Sequence, residues 1–279
     1  MAPFDHCEAL VRAHDKDRFL ATLFAPAEQR SPLFALYAFD LEIAQIRDRA
    51  REPMPGEIRL QWWREVLDGE RSGEAAAHPV AAALTETIAR FALPKERLID
   101  LTEARAFDLY DDPVETFAVL EGYLRRTTAT IFDLAARICG APAEHAAERA
   151  GIAYGITTLL RSFALNASRR QLFVPVEFLE RGTTPEQIFA AESAPFLINA
   201  LGMLRTRARQ HLAAFEAALP QVSAAALPAL LPVALVSGYL ALMDRGDYDP
   251  FHTPIEIPQW RRQWALWRAA GRFTRAMTA

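Results

Sequence analysis

Apolar residues recur at intervals of three and four along most of the chain, which is the spacing of one face of an α-helix. No stretch of the sequence shows the sustained alternation of apolar and polar residues that is typical of a half-buried strand. The clearest apolar series are Leu33, Leu36, Tyr37, Leu41 and Ala44, and Ile152, Ile156, Leu159, Leu160 and Phe163. The pattern predicts an all-α protein with helices near residues 4–24, 32–52, 56–71, 78–91, 94–110, 113–139, 142–164, 174–191, 194–219, 228–244 and 257–274.

Proline and capping residues mark the expected helix starts. Prolines fit the first turn of a helix, where a missing N–H costs no hydrogen bond, at Pro32, Pro94, Pro113, Pro142 and Pro185. Two of these starts also have the spacing of a capping box, because Asp112 is followed by Glu115 and Thr184 is followed by Gln187. We therefore expect Asp112 and Thr184 to be N-caps.

No internal repeat and no flexible linker divides the sequence of 279 residues, so we expect one domain over residues 1–279. Hydrophobic residues make up 51% and charged residues 24%, which is enough apolar surface for a large core. The formal net charge is −4, with 31 basic and 35 acidic side chains interspersed. Such a balance gives no chain-wide field that would attract nucleic acid, and no nucleic-acid partner is predicted.

The first 24 residues include several acidic residues and lack the apolar core of a signal peptide. Cys7 and Cys139 match no zinc or redox spacing, which suits a reducing compartment, so we expect a cytoplasmic location. Residues 221–243 carry no charged side chain and fit either a membrane span or a helix buried in the core. Pro228 and Pro232 interrupt this stretch and favour the buried helix.

Three segments resemble the squalene/phytoene synthase family, the head-to-head prenyl diphosphate synthases. Residues 33–42 (LFALYAFDLE) resemble the helix of that family's first aspartate motif, and residues 59–65 (RLQWWRE) resemble its R-L-x-x-W-R element. The third segment runs from Gly151 to Pro175, and it keeps the family's spacing without a gap from Arg161 onward. The resemblance implies an isoprenoid-synthase fold with a central apolar cavity. In active members, two facing aspartate motifs bind magnesium diphosphate there.

Most carboxylates of those motifs are missing. In the third segment the expected acidic residues fall on Ser162, Leu165 and Asn166. In the first segment Glu42 falls on the leading aspartate, and isoleucines follow one and four positions later. Magnesium ions bind through oxygen ligands and neutralise diphosphate as it leaves, so prenyl transfer needs the carboxylates.

One branch of the family is similar at the degenerate positions themselves: the mitochondrial complex I assembly factor and its bacterial relatives. The matches fall within residues 37–45, 155–161, 168–175 and 249–252. We therefore expect a non-catalytic assembly factor for a membrane respiratory complex, complex I, that binds an isoprenoid or lipid in its cavity. The alternative is an active prenyl transferase acting on farnesyl or geranylgeranyl diphosphate. No catalytic residue, metal site or cofactor is assigned, and Mg²⁺ belongs to the alternative only.

The candidates for lining the cavity or binding a ligand are Phe34, Tyr37, Glu42, Tyr154, Thr158, Arg161, Asn166, Arg169 and Arg170. Phe34, Tyr37 and Tyr154 are expected to line one enclosed pocket. Glu42 is expected to face that pocket, where it either pairs with an interior arginine such as Arg161 or binds a metal ion. Arg169 and Arg170 either hold an anionic head group or form an exposed basic loop.

An acidic cluster formed by Asp108, Asp111, Asp112 and Glu115 also has two interpretations. It fits a metal site, but a helix cap at Asp112 explains half of the cluster and a solvated turn explains the rest. The turn is the simpler explanation.

The last predicted helix is basic and rich in tryptophan. Its candidate contacts with a membrane or a partner are Trp260, Arg261, Arg262, Trp264, Trp267 and Arg268. The tryptophans fall on one helical stripe, and residues 259–279 include no acidic side chain, which is the composition of an interfacial amphipathic helix. In the other interpretation the tryptophans pack on the body and the arginines face water. The expected partner is a subunit of a membrane respiratory complex or an anionic membrane surface, with the protein peripheral on the inner membrane.

Overall fold

The computed structural model describes residues 1–50, 52–179, 184–190 and 195–278, and these ranges contain helices and turns but no β-strand. The α-helices are α1 (Pro3–His14), α2 (Lys16–Thr22), α3 (Ala27–Ala44), α4 (Ile46–Arg49), α5 (Pro53–Asp68), α6 (Ser72–Ala77), α7 (Pro79–Phe91), α8 (Lys95–Ala104), α9 (Phe117–Leu124), α10 (Thr130–Ile138), α11 (Glu144–Arg161), α12 (Phe163–Ser168), α13 (Pro185–Phe189), α14 (Pro195–Ala218), α15 (Leu227–Leu230), α16 (Val236–Met243) and α17 (Gln259–Thr278). A π-helical turn, Arg125–Ala129, joins α9 to α10. The all-α prediction is confirmed.

Buried apolar side chains form one continuous cluster around α11 and α3. Helix α11 packs against α14, α10 and the π-helical turn, while α3 packs against α1, α7 and α10. The largest side chains with almost no exposed surface include Tyr239, Phe34, Phe39, Phe132, Phe215 and Phe273. The two helices that carry the first and third family-like segments therefore lie at the centre of the core.

Two glycines allow α11 to approach its neighbour closely. A Cβ atom on Gly151 would lie 2.3 Å from the Cα atom of Ala129 in the π-helical turn. A Cβ atom on Gly155 would lie 2.7 Å from Leu124 Cδ2. Real Cβ atoms do not approach other heavy atoms so closely, so the contact between α11 and the α9–α10 segment depends on glycine at these positions.

Helix α3 begins earlier than predicted. It starts at Ala27, with Pro26 as the residue before the first turn, and Pro32 lies inside the helix. Because proline has no N–H, α3 lacks the hydrogen bond from residue 32 to the carbonyl of Glu28. The prediction that Pro32 begins the helix was wrong.

The predicted helix starts at Asp112 and near residue 174 were also wrong. The N–H groups of Val176 and Glu177 donate to the carbonyls of Val114 and Glu115, at 2.8 and 3.1 Å, and this pairing holds both stretches outside the helices. Helix α9 starts at Phe117 instead, with the Thr116 side chain as its cap.

Between residues 174 and 179 only the 3₁₀ turn Val176–Phe178 is helical, and residues 180–183 and 191 of the predicted helix 174–191 lie outside the described residues. The capping box of Thr184 and Gln187 is confirmed at the start of α13, where Pro185 occupies the first turn.

The apolar stretch near the end of the chain is broken into short helices. Helix α15, the 3₁₀ helix Leu231–Leu235 and α16 follow one another, with Pro228 and Pro232 in the first turns of the first two. Within the described residues, 224–243 is long and apolar enough to cross a membrane, but 67% of its most apolar window is buried inside the protein. This burial favours the core helix over the membrane span.

Candidate functional site

A pocket of about 620 Å³ opens between α1, α3, α9, α11 and the start of α17. Its lining includes Asp15, Asp17, Arg18, Asp40, Leu41, Ala44, Arg105, Tyr123, Leu124, Tyr154, Thr158, Leu159, Arg161, Ser162, Ile255 and Arg262. The exposed residues His14, Lys16 and Glu256 also border it, so the pocket opens to solvent at this rim. Apolar walls and a charged interior therefore meet in one cavity.

The turn between α1 and α2 brings charged residues to the pocket. Asp15 caps α2 by accepting a hydrogen bond of 3.0 Å from the backbone N–H of Arg18. This cap fixes the first turn of α2, so that Asp17 and Arg18 point into the interior, where they are 3% and 5% exposed. Buried charges at such positions need partners.

Asp17 is the centre of the first charged cluster. Its carboxylate lies 2.9 Å from Arg262 Nε and 3.2 Å from Arg161 NH1, and it accepts a hydrogen bond of 2.9 Å from the Tyr239 hydroxyl. The Arg161 guanidinium also stacks over the Tyr239 ring, 3.8 Å from its centroid. Helices α2, α11, α16 and α17 are thereby joined at one carboxylate.

Asp40 is the centre of the second cluster. Arg18 donates to it at 2.6 Å and Arg105 at 3.2 Å. Burial alone would raise the pKa of Asp40, but the Arg18 and Arg105 guanidiniums outweigh burial and hold that pKa below its ordinary value. The carboxylate is therefore ionised and fully engaged by two arginines.

Arg105 links this cluster to Asp108, which it contacts at 3.2 Å. Asp108 also accepts a hydrogen bond of 2.7 Å from the Tyr123 hydroxyl. Burial raises the pKa of Asp108, and burial likewise raises the pKa of Tyr123 well above its ordinary value. The ion pairs thus form a continuous network from Arg18 through Asp40 and Arg105 to Asp108.

The acidic cluster considered from the sequence is not one site. Asp108 is buried in the network, whereas Asp111 is exposed and pairs with Arg47 at 2.6 Å. No group of three or more histidine, cysteine or acidic side chains that could hold a metal ion occurs among the residues that the structure describes. Since Asp17 and Asp40 each contact two arginines, the donor set of this pocket does not fit a magnesium cluster.

Of the predicted ligand-binding residues, Tyr154, Thr158 and Arg161 line the pocket. Phe34 and Tyr37 are buried but are not part of its lining: Phe34 stacks on Phe19, and the Arg18 guanidinium lies over the Tyr37 ring, 5.1 Å from its centroid. The expectation that Phe34 and Tyr37 line the pocket was therefore wrong, although Tyr37 contacts it through Arg18.

Glu42 does not face the pocket, contrary to the prediction, and it does not pair with Arg161. Two positions along a helix correspond to a rotation of about 200°, so Asp40 and Glu42 point to nearly opposite sides of α3. Glu42 Oε2 lies 3.6 Å from His78 Nε2, and burial raises the pKa of Glu42. Asp40, Leu41 and Ala44 face the pocket instead.

The other predicted residues lie away from the pocket. Arg169 pairs with Asp48 at 2.5 Å, and Arg170 lies 3.6 Å from Glu186. Asn166 borders a separate small cavity. The chain turns between α11 and α12 at Ser162, and this turn directs α12 away from the pocket.

The sequence did not identify most of the charged residues that line the pocket. Those missed are Asp17, Arg18, Asp40, Arg105 and Arg262. Arg262 was predicted to contact a membrane or partner, but it is 6% exposed because it pairs with Asp17. For Asp40 the sequence did contain a signal, because residues 32–39 are all uncharged and Asp40 is the first charged residue after them. A charge in a buried run implies an interior partner.

The three tryptophans of α17 do not pack on the body. Trp260, Trp264 and Trp267 are 64%, 55% and 62% exposed. Arg261 and Arg268 are exposed beside them. The interpretation in which the tryptophans are buried against the domain was therefore wrong.

Comparisons with known proteins agree with this architecture. The squalene/phytoene synthase family model matches residues 11–268. The complex I assembly factor 6 of Homo sapiens is 30% identical over 257 residues, which cover 90% of this chain and 77% of that protein. The 15-cis-phytoene synthase of Synechococcus elongatus is 23% identical over 280 residues, which cover 94% of this chain and 91% of that protein.

The fold also matches solved structures. A dehydrosqualene synthase crystallised with a ligand aligns with a TM-score of 0.84 at 18% identity, over 98% of this chain and 97% of that chain. The helices around the pocket therefore have the arrangement of a squalene synthase-like fold. Because the family model matches almost the whole chain, this protein belongs to the squalene/phytoene synthase family.

Proposed function

We propose that this protein is a non-catalytic member of the family that assists the assembly of a membrane respiratory complex, complex I. The relative at 30% identity carries the name of a complex I assembly factor and matches 90% of the chain, which supports this role. The proposal includes a cytoplasmic location, with the protein peripheral on the inner membrane and in contact with a subunit of the complex. Fold alone does not determine function, so the pocket must carry the argument.

The observation that carries the proposal is the pairing of the buried pocket carboxylates with arginines. Asp17 contacts Arg161 and Arg262, and Asp40 contacts Arg18 and Arg105. A magnesium ion at either carboxylate would have to displace a guanidinium that is itself buried or partly buried. The cost of leaving such a cation unpaired opposes that exchange.

The same pocket suits an amphiphilic ligand. Leu41, Ala44, Leu124 and Leu159 provide apolar lining, and Tyr154 adds an aromatic ring. The pocket arginines are engaged by Asp17 and Asp40, but the exposed Lys16 borders the same space and can pair with an anionic head group. We therefore propose an isoprenoid or a lipid as the ligand, bound without a metal ion.

The catalytic part of the proposal is tested by turnover. Purified protein is incubated with farnesyl diphosphate or geranylgeranyl diphosphate and Mg²⁺, and products are measured by mass spectrometry, with an active family member as positive control. We expect no head-to-head product. A product that is lost in Asp40→Asn but kept in Asp247→Asn, an exposed aspartate of another pair, would contradict the proposal.

The assembly role is tested in a strain of the source organism that lacks the gene. We expect membranes of this strain to contain less assembled complex I on native gels and to oxidise NADH more slowly with a quinone acceptor. The wild-type gene should restore both. Unchanged complex I in the deletion strain would reject the assembly role, whatever the result of the turnover assay.

A second candidate function is head-to-head prenyl transfer on farnesyl or geranylgeranyl diphosphate. It is favoured by one feature, the Asp40 carboxylate in the pocket of a fold that aligns with a dehydrosqualene synthase. Mg²⁺ would belong to this alternative, but the arginine-paired donor set described above does not fit it. Turnover in the assay above would reverse the order of the two candidates.

A further inference from the structure

The last helix, α17, has two faces of opposite character. Arg262, Leu266, Ala269 and Phe273 are buried, and the Phe273 ring packs edge-on against Phe215 with centroids 5.4 Å apart. These positions recur at intervals of three and four, so they lie on one side of the helix. Helix α17 is therefore anchored to the body without help from its opposite side.

The opposite side exposes Trp260, Trp264 and Trp267, each by more than half of its surface. The rings of Trp264 and Trp267 stack with centroids 5.2 Å apart, so they form one apolar surface. Large aromatic side chains gain free energy when they leave water. Three of them side by side on a helix that is already anchored indicate a surface that contacts something else.

Positive charge lies beside these rings. Arg261, Arg268 and Arg275 are exposed and form no ion pair within the part of the chain that the structure describes. Arg272, which is also exposed, pairs with Glu216 at 3.2 Å. Helix α17 contains no acidic side chain, so three positive charges remain uncompensated on this side of the molecule.

We propose that this side of α17, the Trp–Arg face formed by Trp260, Arg261, Trp264, Trp267, Arg268 and Arg275, docks on the surface of an anionic phospholipid bilayer. Arginines near anionic head groups gain free energy, and tryptophan rings settle at the head-group level. The rings extend along residues 260–267, about 10 Å at 1.5 Å per residue. A stripe of this length parallel to the helix axis fits a flat surface better than a cavity that admits one side chain.

Docking through this face would hold the pocket beside the bilayer. Arg262, on the buried side of α17, lines the pocket, and residues 254–256 just before the helix border it. The Trp–Arg face therefore lies about one helix diameter, 10–12 Å, from the pocket wall. A bilayer in that position would lie close to this pocket as a source of an apolar ligand.

This inference rests on the peripheral membrane location in the proposed function and adds the surface that makes the contact. The observations behind it are the two faces of α17 alone. Flotation of the full chain with phosphatidylcholine vesicles is compared with flotation on vesicles of phosphatidylcholine and phosphatidylglycerol in equal amounts. We expect stronger binding to the anionic vesicles than to the neutral ones. Salt should reduce this difference, because the arginine attraction is screened over about 10 Å. This assay measures neither assembly nor turnover, so its failure is distinguishable from failure of the proposed function.

Two variants test the face itself. Arg268→Gln with Arg275→Gln should weaken binding to anionic vesicles roughly 30-fold, at about a fivefold loss for each arginine. The combined change of Trp260, Trp264 and Trp267 to Ala should abolish the part of the binding that survives salt. All five positions are exposed, so circular dichroism and the Tm should stay near those of the wild type.

The controls carry changes of the same kind on other helices. Arg59→Gln with Arg90→Gln removes the same charge from α5 and α7, and Met54→Ala with Ile58→Ala removes exposed apolar surface from α5. Both controls should bind as the wild type does. The inference is overturned if the wild type fails to float at low salt, if the face variants float as well as the controls, or if the tryptophans prove to mediate pairing of two copies without vesicle binding.

Discussion

Arg262 Nε lies 2.9 Å from Asp17 Oδ1, so an ion pair ties the last helix of the chain to the second helix. The same carboxylate contacts Arg161 at 3.2 Å and accepts a hydrogen bond from Tyr239. Segments far apart in the sequence therefore meet at one buried aspartate. Removing its charge would leave two guanidiniums without their counterion at a position that is only 3% exposed.

The substitution Asp17→Ala should lower the free energy of unfolding by about 3–5 kcal/mol. This loss is typical when one partner of a buried ion pair is removed and the other is left without a counterion. Urea unfolding followed by circular dichroism measures this change. The control is Asp247→Ala, which removes an exposed ion pair of 3.0 Å with Arg245 and should cost less than about 1 kcal/mol. Equal effects of the two substitutions would show that the Asp17 cluster contributes no more than a surface pair.

Gly151 allows the close contact between α11 and the π-helical turn. In Gly151→Ala the new Cβ would lie 2.3 Å from the Ala129 Cα, and backbone cannot move aside as a flexible side chain can. We expect a loss of about 1–3 kcal/mol in the free energy of unfolding. The control is Gly122→Ala in α9, where no atom lies within 4 Å of the added Cβ, and where alanine should stabilise the helix by about 0.5–1 kcal/mol. A stable Gly151→Ala protein would mean that the two segments can separate at little cost.

The helices around the core could be predicted because their signal is local. Apolar residues at intervals of three and four identified α3 and α11, and the capping box identified the start of α13 at Thr184. The errors at Asp112 and near residue 174 have a non-local cause. Backbone hydrogen bonds from Val176 and Glu177 to Val114 and Glu115 join segments about 60 residues apart, and no local pattern indicates them.

The pocket could be predicted only in part for the same reason. Tyr154, Thr158 and Arg161 were found because one helix presents them, whereas Asp17 and Arg262 meet from opposite ends of the sequence. For Arg262 a local signal did exist. Its spacing from Leu266, Ala269 and Phe273 places it on the buried side of α17, opposite the tryptophans.

His78 gives the stability a pH dependence with a defined sign. Its Nδ1 accepts a hydrogen bond of 3.3 Å from the Ala81 N–H and so caps α7. Burial lowers the pKa of His78 below its ordinary value of 6.5, and nearby His6 and Arg49 lower it further. The unfolded chain therefore takes up this proton at higher pH than the folded chain, so the contribution of His78 to stability is complete above about pH 6.5 and falls as the pH drops below it.

The variant His78→Asn keeps a capping acceptor but cannot be protonated in this range. The free energy of unfolding is measured with urea at pH 7 and at about pH 5.5. Its decrease from the higher to the lower pH should be larger for the wild type than for the variant. The pKa of His78 can be read directly from an NMR titration. A pKa above 6.5, or parallel pH dependence of the two proteins, would contradict the assigned cap.

Magnesium binding should be weak, because Asp17 and Asp40 already neutralise arginines. Calorimetric titration of the purified protein with Mg²⁺ should therefore give no high-affinity phase. Glu42→Ala should change nothing, since Glu42 lies beside His78 and outside the pocket. Tight binding that disappears in Asp40→Asn would instead show that the ion exchanges with the guanidiniums of Arg18 and Arg105, and the argument against prenyl transfer would fail.

A bulky side chain at Ala44 should exclude the ligand without disturbing the ion pairs. Ala44 ends α3 and lines the pocket on its apolar side, so in Ala44→Phe the ring would occupy space that the proposed isoprenoid or lipid chain needs. We expect geranylgeranyl diphosphate to bind the wild type in the presence of a chelator, with its diphosphate near Lys16 at the rim, and to bind Ala44→Phe about tenfold more weakly, a difference of about 1.4 kcal/mol. The control is Ala89→Phe, at an exposed position of α7, which adds the same ring outside the pocket and should leave affinity unchanged. Calorimetry with each protein measures the three affinities. Equal affinity of Ala44→Phe and the wild type would locate the ligand elsewhere, and binding that appears only when Mg²⁺ is added would favour the prenyl transferase alternative.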